Sequence, residues 1–299
     1  MTKQVASNSR PSLSQKSTVD QSAWDFIDQI RLVVYGQSRT GKTTLWSSFP
    51  GPILALVCSS GLRPGELRSI NTPEMRKKVK ATVISSTDQF RRIVKEEAPS
   101  FATVVLDHVG GLQDLDLKEV LGLEEVPLQR PIIGDNKRTW GQIAIDIKDM
   151  FRPLLNLPGH LVVVAHERVF SGTEEDKTSD IIAPVVNAGT TPSVCLFLNR
   201  EFDFFVQTFL RPRFVEQKIP GTDAVSKVRA GTEYCLRCCD QLDTYYTKFR
   251  TTRPDLLPEI VVLGRTGQRP TVSAFEIIDK LSRGDPVSPL KNLPKTVVK

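Results

Sequence analysis

The sequence predicts an α/β protein: a largely parallel sheet flanked by helices, with antiparallel strands added near the C-terminal end. Three observations lead there. Short apolar, β-branched runs recur at 32–35, 53–57, 81–84, 103–107 and 161–165, as strands buried on both faces require. Segments with apolar residues at helical spacing lie between several of them. Beyond Arg200, Phe202, Phe204, Val206 and Phe209 alternate with other residues, and 233–238 and 244–250 also read as strands. Strands that alternate with helices imply parallel pairing through right-handed crossovers.

The first strand leads into the strongest signal of the chain. Residues 31–46 read RLVVYGQSRTGKTTLW, and GQSRTGKT fits the phosphate-loop pattern G-x-x-x-x-G-K-[ST] at every fixed position. Gly36 and Gly41 let successive N–H groups converge on an anion, and Gln37, Ser38, Arg39 and Thr40 fill the loop between them. Thr43, Thr44, Leu45 and Trp46 continue as a first helical turn, whose dipole adds positive potential at the same spot. Lys42 is placed to reach the β- and γ-phosphates, and the Thr43 hydroxyl to join a Mg²⁺ shell. The loop therefore points to ATP with Mg²⁺ as its ligands.

The remaining elements follow in order. Asp88 opens a helix through Glu97 with Phe90, Ile93 and Val94 on one face. Residues 112–138 are mixed, fitting a short helix and a loop. Trp140, Ile143, Ala144, Ile147, Phe151 and Leu154 define an amphipathic helix over 139–156, ended by Pro158-Gly159. A last helix, 271–281, turns Val272, Phe275, Ile278 and Leu281 inward. The expected organisation is a disordered tail over 1–22, one domain over 23–281 and a flexible basic tail over 282–299.

Composition narrows the class. In 299 residues, 39% hydrophobic and 25% charged, no apolar run reaches the roughly 18 residues of a membrane span. The N-terminal segment lacks the apolar stretch of a secretory signal, so the expected location is cytoplasmic, with no membrane partner. The net charge of +6 is concentrated in the tails, +2 over 1–22 and +3 over 282–299, so it is a weak argument for nucleic acid. Cys235-x-x-Cys238-Cys239 has half of a zinc spacing without a second pair, and no zinc site is expected.

Five further positions carry chemistry. Asp107 closes a strand about 65 residues after the phosphate loop, where an acid can hold the Mg²⁺ shell. The candidate metal ligands are thus Thr43 and Asp107. His166 and Glu167 close the strand before them, at the sheet edge that lines the ligand crevice in α/β folds, and can report the γ-phosphate to the following loop, 170–192. Lys248 and Arg250 share a face by alternation and can be delivered to a neighbouring chain's nucleotide. The residue that orients the attacking water stays open among Glu66, His108 and Glu167. No acid follows the second strand directly, since that place reads Cys58-Ser59-Ser60-Gly61.

Taken together, GQSRTGKT, VVLDHVGGL, KRTWGQ ahead of the long helix, GHLVVVAHE and YYTKFRTTRP resemble the RecA-like ATPases of phages. More narrowly, they resemble the short phage nucleotide-binding proteins of the AAA superfamily associated with single-strand annealing recombination. The resemblance covers about residues 30–265 and implies a RecA-like P-loop NTPase core that binds ATP·Mg²⁺. It also implies slow hydrolysis between subunits of a ring or filament, in an infected host cell, with single-stranded DNA as partner. A phage annealing or single-strand-binding protein is a further implied partner. The family's strand-end His-Glu pair maps onto His166 and Glu167, and its lysine-x-arginine element onto Lys248 and Arg250. Two departures stand out: the missing acid after the second strand, and Thr251-Thr252 where a glycine is usual. The rival readings are an AAA+ remodelling or loader ATPase acting on a protein, an ATP-dependent switch without turnover, and a small-molecule kinase. The stretch 201–250 lacks the helical lid of the first, and no acceptor-binding arginine cluster supports the last.

Overall fold

The computed structural model describes residues 28–58, 65–124, 136–170, 185–218, 225–242, 244–266 and 272–287. The tail expected over 1–22 and the C-terminal one from 288 onward lie outside the described residues. The central sheet runs in the order β3 (Val79–Val83), β2 (Ile53–Val57), β4 (Thr103–Asp107), β5 (His160–Ala165), β1 (Arg31–Tyr35) and β8 (Phe204–Lys218), all parallel to their neighbours. It continues antiparallel through β9 (Val225–Arg237) and β11 (Ile260–Arg265), while β10 (Lys248–Phe249) pairs with the start of β8. This is the mostly parallel, helix-flanked sheet with C-terminal antiparallel strands that the sequence predicts.

Alternation along the strands divides the core into two layers. Val33 and Tyr35 of β1, with Leu54, Leu56, Val104, Leu106, Leu161 and Val163, pack under α3 (Thr87–Glu96), α4 (Val109–Val120), α5 (Asn136–Leu155) and α6 (Pro192–Glu201). Leu32 and Val34, with Ile53, Ala55, Val105, Val162 and Val164, pack under α1 (Lys42–Ser47) and α7 (Ala274–Ser282). Burial of these side chains, worth about 1.5–3 kcal/mol each, fixes the register, because a one-residue slip would exchange the two faces.

Several elements depart from the sequence reading. The third strand begins at Val79, two residues early and directly after the short helix α2 (Pro73–Lys78), because β2 pairs it from Ile53↔Val79 onward even though it then contains Lys80. Ser86, rather than Asp88, caps α3 by accepting the Gln89 N–H. Helix α4 starts directly after the Asp107 strand, since the His108 side chain accepts the Gly111 N–H as its N-cap. Pro192 stands at the first helical position of α6, over residues for which the sequence predicts no element. The strand expected over 244–250 shrinks to Lys248–Phe249, and its earlier part bridges to β7 (Val185–Ala188) through Tyr245 and Val186. That strand forms a small antiparallel hairpin with β6 (Glu167–Phe170), where the sequence predicts a loop over 170–192; residues 171–184 lie outside the described residues.

Candidate functional site

The phosphate loop leaves β1 at Tyr35 and re-enters regular structure at Lys42. Gly36 has φ +152°, and a Cβ there would stand 2.2 Å from the Thr208 carbonyl oxygen on β8. No other residue fits so close an approach. Gly41 has φ +95° and Arg39 φ 67°, so the loop curls through the left-handed region twice. The Thr40 hydroxyl lies 2.8 Å from both the Gln37 carbonyl oxygen and the Thr208 hydroxyl, which pins the curl to β8. Lys42 is 8% exposed and its Nζ donates to the carbonyls of Gly36 and Gln37 at 2.8 and 2.7 Å. Burial lowers its pKa, while the nearby Asp107 and Glu167 carboxylates pull it back up.

Asp107 is the other fixed point. It is 5% exposed, and its Oδ2 accepts a hydrogen bond from the Trp46 indole Nε1 at 3.1 Å. Trp46 is fully buried on α1, one turn after Thr43. A single helix turn thus carries the Thr43 hydroxyl and the donor that orients the acid opposite it. The sequence predicts Trp46 only as part of the helix; a buried indole's need for an acceptor is the signal for its contact with Asp107. Gly111 makes the packing possible on the other side, since a Cβ there would fall 1.7 Å from the Cys58 carbonyl oxygen.

A cleft of 520 Å³ brings Arg39, Lys42, Thr43, Asp107, His108 and His166 together. His166 is exposed at the end of β5, the strand between the phosphate-loop strand and the Asp107 strand. Its ring packs edge-on to His108 at 4.9 Å between centroids. Burial, with His166 and Lys42 nearby, pushes the His108 pKa down to about 4, so this imidazole is neutral near pH 7. Arg68, Ser69 and Tyr234 also line the cleft, and the Tyr234 ring lies against Gly41. None of the three was anticipated, because the sequence does not indicate that β9 and the 65–70 turn close over the loop.

Glu167 takes a different place from His166. It lines a neighbouring cavity of 260 Å³ with Gln37, Ser38 and Thr40. There its Oε2 accepts from Gln207 Nε2 at 3.2 Å, and Gln207 Oε1 accepts from Arg237 Nε at 3.2 Å. Successive residues of one strand end therefore flank the phosphate loop from two sides. The Glu66 side chain lies outside the described residues.

Lys248 and Arg250 stand at the opposite end of the sheet, because β10 pairs with the first residues of β8. Lys248 Nζ donates to the carbonyls of Asn199, Arg200 and Phe202, at 3.0, 3.3 and 2.5 Å, and so caps the C-terminal end of α6. Arg250 pairs with Asp203 at 2.8 Å but keeps 67% of its side chain exposed, beside a cavity of 480 Å³. Both cations lie roughly a strand length, about 15 Å, from this chain's own phosphate loop.

Residues 28–216 match the family described as AAA domain. The chain belongs to that family. The match spans the phosphate loop, the Asp107 strand and the His166 strand, so this AAA domain is a P-loop nucleotide-binding domain of ATPase type. No curated protein matches the chain. Among solved structures it is similar to the flagellar accessory protein FlaH from Methanocaldococcus jannaschii, at 7% identity and a TM-score of 0.35, over 79% of this chain and 86% of that one. Among the described residues, no helix is long and apolar enough to cross a membrane.

Proposed function

We propose that this protein binds ATP with Mg²⁺ and hydrolyses it slowly at a site completed by a neighbouring subunit of a ring or filament, working on single-stranded DNA in phage recombination or replication. The observation that carries the reading is the meeting of Lys42, Thr43, Asp107 and His166 in one cleft at the helix N-terminus. The donor set fits a hard divalent cation: one hydroxyl and one carboxylate, the latter oriented by an indole N–H. Bound between Thr43 and Asp107, Mg²⁺ would neutralise charge on the β- and γ-phosphate oxygens.

The chain's own residues supply the rest. The loop N–H groups and the Lys42 ammonium hold the phosphates in a partly buried setting, where each charge contact is stronger than in water. His166, at the end of the intervening strand, reads the terminal phosphate and passes its state to the hairpin that follows. Arg250, exposed at the far end of the sheet, reaches a nucleotide only on another copy of the chain. Lys248 does not reach the neighbour itself; it holds the end of α6 from which Asp203 and β8 depart.

A second reading, a switch that binds ATP without turnover, rests on one observation. His108 is neutral and spends its Nδ1 on the Gly111 N–H, while Glu167 bonds Gln207 in the neighbouring cavity. Both described candidates for orienting water are engaged elsewhere. An assay of phosphate release with and without single-stranded DNA separates the readings. Turnover that rises with DNA supports the first, and tight ATP binding with no release supports the second. Turnover indifferent to DNA at every salt concentration sinks the DNA assignment.

A further inference from the structure

A groove of 450 Å³ opens between α5 and the start of α6, with β6 along its side. Its floor is apolar and aromatic: Trp140, Ala144, Ile145 and Pro192. Its charged groups are Lys148 and Arg168, and among the described lining residues there is no carboxylate. Trp140 is partly exposed there, Ile145 is 55% exposed, and the Lys148 ammonium donates to the Ser193 hydroxyl at the rim. An aromatic ring beside two cations, with no carboxylate among the described lining residues, matches an unpaired nucleotide: base on the ring, backbone on the cations. An acidic peptide would use the cations but leave the indole face idle, and a duplex keeps its bases stacked inside.

The groove is wired to the nucleotide site on two sides. Arg168 lies two residues beyond His166 on the hairpin that extends β5, and the Gly189 N–H returns from that hairpin to the His166 carbonyl at 2.6 Å. On the other side, Gln113 Nε2 donates to the Thr191 hydroxyl at 3.1 Å, tying the start of α6 to α4. Helix α4 begins at the His108 cap, directly after Asp107. Both groove walls are therefore continuous with strand ends that line the ATP cleft.

Resting on the nucleotide-driven, DNA-directed reading above, we propose that this groove is the binding site for single-stranded DNA, with a base stacked on Trp140, phosphates on Lys148 and Arg168, and occupancy coupled to the state of the His166 edge. By reciprocity, ATP alters the affinity of the groove as much as DNA alters that of the cleft.

The test is fluorescence anisotropy of a labelled oligo-dT with the full chain and a non-hydrolysable ATP analogue, over a salt series. Trp140→Ala should weaken binding about 5- to 100-fold with the salt slope kept, and Trp140→Phe should restore most of it. Lys148→Glu with Arg168→Glu should weaken it at least about tenfold and flatten the slope by about 1.4, two phosphate contacts' worth. Basal ATP turnover and analogue binding should stay at wild-type level in all variants, with the DNA-stimulated part lost. Wild-type binding that the groove variants leave unchanged would overturn the groove while the DNA reading survives. A wild type that ignores oligo-dT at every salt overturns both. Equal competition by duplex or by an acidic peptide overturns the choice of occupant.

Discussion

At one end of the central sheet, the carboxyl ends of β1, β4 and β5 hold Lys42, Asp107 and His166 around a common cleft. At the other end, β10 and the start of β8 hold Lys248, Arg250 and Asp203. Both ends present charged side chains at strand termini, yet they treat them differently. In the cleft, Lys42 and Asp107 are buried and each is tied to a partner that aims it: Lys42 on loop carbonyls, Asp107 on the Trp46 indole. At the far end Lys248 is consumed by three backbone carbonyls, whereas Arg250 has one acidic partner and a largely exposed side chain. Charges that sit in the same kind of position can thus be site, scaffold or surface, depending on what the neighbouring chain ends need.

The comparison can be broken by variants, beginning with the largest effect. Lys42→Ala should reduce ATP turnover about a thousandfold or more and abolish most analogue binding, with the fold intact by circular dichroism. Turnover left unchanged would remove the cleft from the mechanism. Arg250→Ala should lower turnover on a similar scale, about 10³-fold, and mixing it with Lys42→Ala protein should restore activity, since each variant supplies what the other lacks. No complementation would place Arg250 with the scaffold instead. Trp46→Phe keeps an aromatic side chain but removes the donor to Asp107; it should raise the Mg²⁺ concentration for half-maximal activity about 10- to 100-fold at constant ATP.

The smaller effects concern stability. Lys248→Met should cost about 1–2 kcal/mol in denaturant unfolding through the lost cap of α6, while turnover per folded molecule changes little. A larger loss of turnover than of stability would move Lys248 into the site. Asp116 on α4 is buried 4% exposed, its Oδ2 has no hydrogen-bond partner, and burial with Asp146 and Glu119 nearby pushes its pKa up to about 7. The folded state then holds a proton that the unfolded chain has released. Stability is therefore greatest at low pH for this group and falls as pH rises from about 4 to 7, by at most about 1.4 kcal/mol per unit. Asp116→Asn should flatten that slope in a pH series of melting temperatures; an unchanged slope would refute the assignment.

Much of the cleft was legible in the sequence because its parts are local. A glycine loop between a β-branched strand and a helix start needs no distant contact to be recognised, and Asp107 and His166 announce themselves as polar residues that end apolar runs. What sequence reasoning missed came from other elements. Trp46 became part of the site only when α1 packed against β4. Tyr234 and Arg68 entered because β9 and the 65–70 turn close over the loop. Adjacent in sequence, His166 and Glu167 were read as one unit; strand alternation sends them to different cavities.

By itself, then, the sequence determined the core strands, the phosphate loop, the sheet class and the residue types of the metal and phosphate contacts, since periodicity and backbone freedom are properties of short segments. Only the tertiary structure decided which of those residues share a cleft and which lysine is spent on a helix end. It alone also brought Trp140, Lys148 and Arg168 to one groove. Those outcomes depend on sheet order and helix docking, which join residues far apart in the chain through burial that no local pattern specifies.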